Sequence, residues 1–80
     1  MEQHIGEIIV RFEESNHYVV KVKIIDFEGR SEANLLIPKE KVKKLGIKTF
    51  KQAKLVLPLM KNYILTEIKK QFPKFWFLDY

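Results

Sequence analysis

Few residues of this sequence carry the groups that catalysis requires. The two histidines, His4 and His17, belong to no motif in which a partner would orient the imidazole, so no acid–base pair is indicated. Ser15 and Ser31 have no base at a motif spacing, and no glycine-rich phosphate loop is present. The chain has no cysteine, which excludes a thiolate nucleophile, a disulfide and a thiolate metal site. We therefore expect a protein that is not an enzyme and that holds no metal and no cofactor.

Cations and aromatic rings offer binding chemistry instead. Nucleic-acid grooves combine cations that follow phosphates with aromatic faces on which bases stack, and each stacked base is worth about 1–3 kcal/mol. The predicted nucleic-acid-binding residues are Lys21, Lys23, Phe27, Arg30, Asn34, Lys61 and Tyr63. The alternative is structural, because the lysines could form a solvated face, and Phe27 and Tyr63 are more typical of a core.

A second aromatic group closes the sequence, and its predicted role is protein binding. The predicted partner-binding residues are Lys69, Phe72, Phe75, Trp76 and Phe77. Their order resembles a degenerate sliding-clamp-binding peptide, with Lys69 in place of the leading glutamine. An exposed aromatic cluster would mark an interface. Alternatively the tail packs back onto the domain, since so small a chain has little core to spare.

Charge is distributed unevenly along the chain. The 80 residues carry a formal net charge of +5, but residues 1–36 have a net charge of −3 and residues 37–80 a net charge of +8. A concentrated positive field attracts polyanions such as nucleic acid. Two plainer interpretations stay open: the lysines at 39, 41, 43 and 44 form a solvated helix face, or the lysine-rich composition reflects a thermophile.

Length and composition predict one small domain in the cytoplasm. Three glycines and three prolines leave little linker. The longest uncharged apolar stretch, residues 55–60, is far shorter than the roughly 20 residues of a membrane span. We expect no secretion signal and no membrane contact, and the absence of cysteine favours a reducing compartment. We divide the chain into a domain at 1–72 and an aromatic C-terminal tail at 73–80.

Alternating apolar residues predict three strands in the first half, at 5–12, 18–26 and 31–37. Polar breaks between them predict an antiparallel meander. One face of each strand is expected in the core, and Lys21 and Lys23 are expected side by side on the other face. The residues expected to point inward are Ile8, Val10, Phe12, Tyr18, Val20, Val22, Ile24, Ala33, Leu35 and Ile37.

Pro38 and Gly46 delimit a short predicted helix, because proline suits a first helical position and glycine a left-handed cap. Beyond Lys48 two interpretations compete. The first places strands at 53–59 and 63–68, and we favour it for 53–59, since Pro58 inside a helix would cost roughly 3 kcal/mol. The alternative is helix, with Thr49 and Gln52 as a capping box and apolar residues at helical spacing from 50 to 72. Residues 60–72 stay open between the two.

Three strands, a short helix and two further strands resemble the OB-fold, a small five-stranded barrel that binds oligonucleotides. The segment 24–31, with Asp26 and Gly29, is similar to the turn between the second and third strands of replication protein A-type domains. Gly6 is similar to the glycine that bends the first strand of that family. The resemblance implies a mainly β protein with one short helix, in the order β1-β2-β3-α-β4-β5, whose second and third strands bind single-stranded nucleic acid.

A second resemblance is local. Residues 36–47 are similar to the Ile-Pro-Lys-Glu and Leu-Gly-Ile signature of swapped-hairpin AbrB-type DNA-binding proteins and antitoxins. The Gly-Arg pair of that family is here Ala33 and Asn34, so its DNA-contacting arginine is missing.

These observations favour a non-catalytic nucleic-acid-binding protein or accessory subunit of a replication or repair assembly. The first alternative is a dimeric AbrB-type regulator or antitoxin, and the second is a protein-interaction module without nucleic-acid binding.

Overall fold

The computed structural model describes residues 3–79. Residues 1 and 2 of the predicted domain and Tyr80 of the predicted tail lie outside that range. The elements in chain order are β1 (Gln3–Glu13), β2 (His17–Asp26), β3 (Gly29–Pro38), α1 (Lys39–Lys43), α2 (Phe50–Val56), α3 (Lys61–Gln71) and β4 (Leu78–Asp79). A 3₁₀ turn follows α2 at Leu57–Leu59, and another follows α3 at Pro73–Phe75.

The strands form one sheet in the order β3-β2-β1-β4. The first three strands make an antiparallel meander, which confirms that prediction. β4 adds to β1 in parallel, with Gln3 opposite Leu78 and His4 opposite Asp79. Within residues 3–79 the sheet has four strands and remains open, so the architecture is mixed α/β and a closed five-stranded barrel is absent there.

The strand predicted at 53–59 is wrong, because that segment is helical, and residues 60–72, which the sequence left open, contain the helix α3. Thr49 and Gln52 form the capping box that starts α2. Pro58 does not interrupt that helix, since α2 ends at Val56 and the proline occupies the first turn of the following 3₁₀ segment. At such a position a proline has no intrahelical hydrogen bond to lose. The helical spacing that we considered as the alternative is therefore the correct interpretation.

The core lies between one face of the sheet and the helices. Val20, Val22, Ile24, Leu35 and Ile37 are fully buried on that face, as the alternation predicts. Three elements cover them through fully buried side chains, which are Val42 of α1, Ala53 of α2, and Ile64 and Ile68 of α3.

Phe12 is not in this core, contrary to the prediction. The pairing of β1 with β2 shifts by one residue between Val10 and Phe12, as a β-bulge requires. Because side chains alternate across a strand, one extra residue moves Phe12 to the opposite face, where its side chain is 49% exposed.

The residues that follow α3 pack onto the same core. Phe75 and Leu78 are buried within the cluster that contains the sheet residues, and Phe72 packs against it. Residues 73–79 are therefore attached to the domain through two buried side chains. No helix within residues 3–79 is both long enough and apolar enough to cross a membrane.

Candidate nucleic-acid interface

Lys21 and Lys23 lie on the face of β2 that points away from the core, as predicted. Each forms an ion pair with a neighbouring strand: Lys21 Nζ lies 3.3 Å from Glu32 Oε2, and Lys23 Nζ lies 3.2 Å from Glu7 Oε1. The strand register places these carboxylates beside the two lysines. Much of the positive charge expected on this face is therefore balanced within the chain.

Arg30 and Asn34 occupy the same outer face, on β3, where Asn34 is opposite Lys21. Arg30 borders a shallow pocket of about 270 Å³ together with Gly6, Glu7, Lys23 and Ile25. The structure thus brings four of the predicted binding residues onto one surface: Lys21, Lys23, Arg30 and Asn34.

Phe27 stands in the turn at the end of that surface. Its side chain is 79% exposed, so Phe27 does not take the core position that we considered for it. The turn is held by Asp26, whose Oδ1 accepts a hydrogen bond of 2.9 Å from the Glu28 N–H. Phe27 is therefore accessible for stacking next to Arg30.

Lys61 and Tyr63 are placed elsewhere, in the first turn of α3 rather than in a loop between two strands. Tyr63 packs against the core, which lies on the other side of the sheet from Lys21. The Tyr63 hydroxyl is buried without a hydrogen-bond partner in the described chain. Burial raises the pKa of Tyr63, and the charge of Glu67 adds to that rise. The structure does not bring Lys61 and Tyr63 to the predicted sheet surface.

A second group of lysines lies on α1, on the following loop and on α2, and three of them, Lys39, Lys43 and Lys48, line one concave region. We call this group the basic surface, and it consists of Lys39, Lys41, Lys43, Lys44, Lys48, Lys51 and Lys54. Glu40 is the one acidic residue between positions 39 and 54. Within residues 3–79, only Lys39 of these lysines forms an ion pair, with 3.5 Å between its Nζ and Glu13 Oε2. The other six ammonium groups keep their charge available to a ligand.

Local sequence explains why the lysines of α1 point outward. The helix begins directly after Pro38 and spans five residues, and only Val42 among them is buried. Gly46 takes a positive φ of 96°, which a side chain would strain, and ends this segment. Ile47 then returns to the core, and its N–H donates a 3.0 Å hydrogen bond to the Val42 carbonyl.

The capping box holds the loop between the two helices. Gln52 Oε1 accepts hydrogen bonds from the backbone N–H groups of Lys48, at 2.7 Å, and Thr49, at 3.2 Å. The Gln52 N–H donates in return to Thr49 Oγ1 at 3.1 Å. Lys48 is therefore attached to a fixed backbone rather than to a free loop.

The basic surface contains a concave region of about 360 Å³, lined by Tyr18, Lys39, Glu40, Lys43, Ile47 and Lys48. Lys39 Nζ lies 5.3 Å from the centroid of the Tyr18 ring, which itself stacks with Phe50 at a centroid distance of 6.3 Å. Burial raises the pKa of Tyr18, with a smaller contribution from Glu13, so the ring stays neutral at physiological pH. Lys43 and Lys48, the two lining lysines that form no ion pair in the described chain, can bind an oxyanion such as a phosphate beside this neutral aromatic ring. The lysine density of the segment was visible in the sequence, where a solvated helix face was the preferred interpretation.

The residues predicted to bind a protein partner divide into buried and exposed sets. Phe75 is 4% exposed, Phe72 is half-buried, and Lys69 lies half-buried in the last turn of α3. Trp76 and Phe77 are 64% and 63% exposed, and their rings stack with 3.5 Å between centroids. Of the five predicted residues, Trp76 and Phe77 are therefore the exposed ones.

Within residues 3–79 there is no group of three or more acidic, histidine or cysteine side chains that could hold a metal ion. Comparison of the chain with models of known families, with curated proteins and with solved structures finds no match.

Proposed function

We propose that this chain is a non-catalytic nucleic-acid-binding domain that contacts phosphates through the basic surface. The observation that carries the proposal is the set of six lysines from Lys41 to Lys54 that form no ion pair in the described chain. Lysines that neutralise phosphates release condensed counterions, and this release supplies most of the affinity of sequence-independent binding. On the sheet surface Lys21 and Lys23 already have carboxylate partners, so they gain less from a phosphate.

The preferred ligand is single-stranded. α1 has five residues, less than two helical turns, so it presents no long helix to the major groove of a duplex. Single strands need a groove of cations with an aromatic surface for the bases, and the exposed ring of Phe27 offers a second contact at the other end of the sheet. A role as an accessory subunit of a replication or repair assembly belongs to the same proposal.

The exposed stack of Trp76 and Phe77 favours a second candidate function, protein binding. Exposed tryptophan at the centre of a patch is typical of interface hot spots. In this function the basic surface serves solvation, and nucleic acid is not bound. The AbrB-type alternative would instead prefer duplex DNA.

A salt series of anisotropy titrations tests the proposal, with labelled single-stranded and duplex oligonucleotides. Three to five phosphate contacts would give a log–log salt slope of about −2 to −3.5 for single strands, since each contact contributes about −0.7. Replacing Lys43 and Lys48 by glutamine is expected to reduce the slope by about 1.4 units. The matched control replaces Lys21 and Lys23 by glutamine, which removes the same net charge from the sheet surface.

Each outcome has a distinct meaning. A loss confined to the Lys43→Gln, Lys48→Gln protein supports the basic surface. An equal or larger loss in the control would move the interface to the sheet, where the sequence predicted it. Tighter binding of duplex would favour the AbrB-type alternative, and no binding of either oligonucleotide at low salt would overturn the proposal.

A further inference from the structure

β3 is an edge strand of the sheet, and within residues 3–79 Leu36 is the one outward-facing position of this edge whose backbone groups have a hydrogen-bond partner. The backbone N–H of Leu36 donates to Gln71 Oε1 at 3.2 Å, and Gln71 Nε2 donates to the Leu36 carbonyl at 3.0 Å. These two hydrogen bonds show that the backbone groups of Leu36 point away from β2. The side-chain amide of Gln71 thus takes the place of a neighbouring strand at this position.

The backbone groups of Arg30, Glu32 and Asn34 point in the same outward direction as those of Leu36, because orientation repeats every second residue. β3 pairs with β2 from end to end with no bulge that would break this repeat. Within residues 3–79 the outward N–H and C=O groups at positions 30, 32 and 34 have no hydrogen-bond partner. Such an edge is a template for another strand.

We propose that two copies of this chain associate by antiparallel pairing of this uncovered part of β3, residues 29–34, about a two-fold axis at Ser31. In that register Arg30 of each copy lies opposite Glu32 of the other. Both residues are exposed on the outer face of the sheet. Opposite charges that face each other across strands stabilise the pairing, and the two-fold axis forms the contact twice.

Other registers are excluded by charge or by Gln71. An axis at Arg30 or at Glu32 would place like charges directly opposite each other, which is unfavourable. An axis at Ala33 or at Asn34 would require the outward groups of Leu36, which Gln71 already binds. An axis between two residues would place residues whose backbone N–H and C=O groups point outward opposite residues whose groups point inward, so no hydrogen-bonded ladder would form. Among the axes at residues 30–34, only the one at Ser31 satisfies both the charge pairing and the hydrogen bonding.

The resulting dimer has one continuous sheet of eight strands in which β3 meets β3. The pairing uses the free edge of β3 in each copy, so this edge is not left to recruit a third copy. Its interface is one short strand from each side, well below the area of a permanent complex, so association depends on concentration. The inference does not depend on nucleic-acid binding.

Charge exchange in the full chain tests the pairing by sedimentation equilibrium over a concentration series. Arg30→Glu is expected to raise the dimer dissociation constant by about tenfold, since two attractive contacts become repulsive. Glu32→Arg should act likewise, although it also removes the ion pair with Lys21. The double variant Arg30→Glu, Glu32→Arg restores opposite charges and is expected to recover association. Failure of the double variant to recover, with each single variant dissociated and folded, would overturn the register.

A cross-link provides a measurement that does not rely on the charges. The chain has no cysteine, so one introduced cysteine reports on its own neighbourhood. In the proposed register the two Ser31 residues form a non-hydrogen-bonded pair with Cα atoms about 4.5 Å apart, within the range of a disulfide. Ser31→Cys is therefore expected to give a covalent dimer under mild oxidation.

Asn34→Cys is the matched control. In the proposed register, residue 34 of one copy lies six residues along the strand, about 20 Å, from residue 34 of the other. Preferential cross-linking through position 34, or a monomer at every concentration with no cross-link at position 31, would overturn the proposal.

Discussion

Phe75 and Phe77 lie two residues apart with opposite environments: the Phe75 ring is 4% exposed in the core, and the Phe77 ring is 63% exposed. Phe75→Ala is expected to lower the free energy of unfolding by about 3–5 kcal/mol, because it removes a packed ring and leaves a cavity. Phe77→Ala should change it by less than about 1 kcal/mol, as surface substitutions usually do. Urea unfolding of both variants measures the difference.

The pair is its own control, since both substitutions delete the same group from the same segment. A similar cost at the two positions would contradict the division of this segment into a buried anchor and an exposed aromatic pair. Loss of a protein partner in the Phe77→Ala variant, with its stability unchanged, would support the second candidate function.

Tyr63 provides a prediction about stability and pH. Its buried hydroxyl has no partner in the described chain, and an unmade buried hydrogen bond costs about 1–3 kcal/mol. Tyr63→Phe is therefore expected to raise the free energy of unfolding at pH 7 by about 1 kcal/mol. Urea unfolding at pH 7 measures this change. A variant less stable than the wild type would show that the Tyr63 hydroxyl forms a hydrogen bond.

The raised pKa of Tyr63, caused first by burial and then by Glu67, determines the sign of its pH dependence. The folded chain holds this proton more tightly than the unfolded chain does. The corresponding stability is present below the ordinary tyrosine pKa of about 10 and is lost as pH rises through the higher folded value. As pH rises above about 10, the wild type should lose more stability than Tyr63→Phe. Parallel curves for the two proteins would contradict this assignment.

The capping box at the start of α2 provides a third prediction. Gln52→Ala removes the acceptor for the N–H groups of Lys48 and Thr49 and should cost roughly 1 kcal/mol, as cap removal does. Amide hydrogen exchange at these two residues should accelerate. Gln52→Glu keeps an acceptor at the same position and is the control, expected to preserve slow exchange. Fast exchange already present in the wild type would show that the loop is not held.

Local signals in the sequence were sufficient for the meander and for α1. Alternation identified Val20, Val22 and Ile24 as core, and Pro38 and Gly46 marked the limits of the helical segment. Phe12 was misassigned because the bulge beside it has no side-chain signature, and one inserted residue reverses every later position. Within the described residues β4 has two residues and pairs with β1 at the opposite end of the sequence, so no local pattern could predict it.

The error beyond Lys48 came from giving one proline too much weight. The penalty for Pro58 applies inside a continuous helix. Here α2 ends at Val56, and Pro58 lies in the 3₁₀ turn that follows. The regular spacing of Ala53, Leu57 and Ile64 was the better guide, since all three are fully buried.

The candidate sites were predictable only in part. The alternation of apolar and polar residues correctly predicted that Lys21 and Lys23 point outward. Their pairing with Glu32 and Glu7 depends on which residues face each other across strands, and this register cannot be predicted from the sequence of one strand alone. For the same reason, the count of lysines between 39 and 54 could not reveal that six of them would lack a carboxylate within the described chain.

The pairing of Gln3 with Leu78 and of His4 with Asp79 joins the two ends of the described chain through only two residue pairs. Forming it closes a loop of nearly the whole chain, whereas each hairpin of the meander closes over a short turn. Contacts of such long range with so little ladder form late during folding and open first by local fluctuation. We therefore expect β4 to detach first while β1, β2 and β3 stay paired, so that the buried side chains of Phe75 and Leu78 are the first part of the core to contact water.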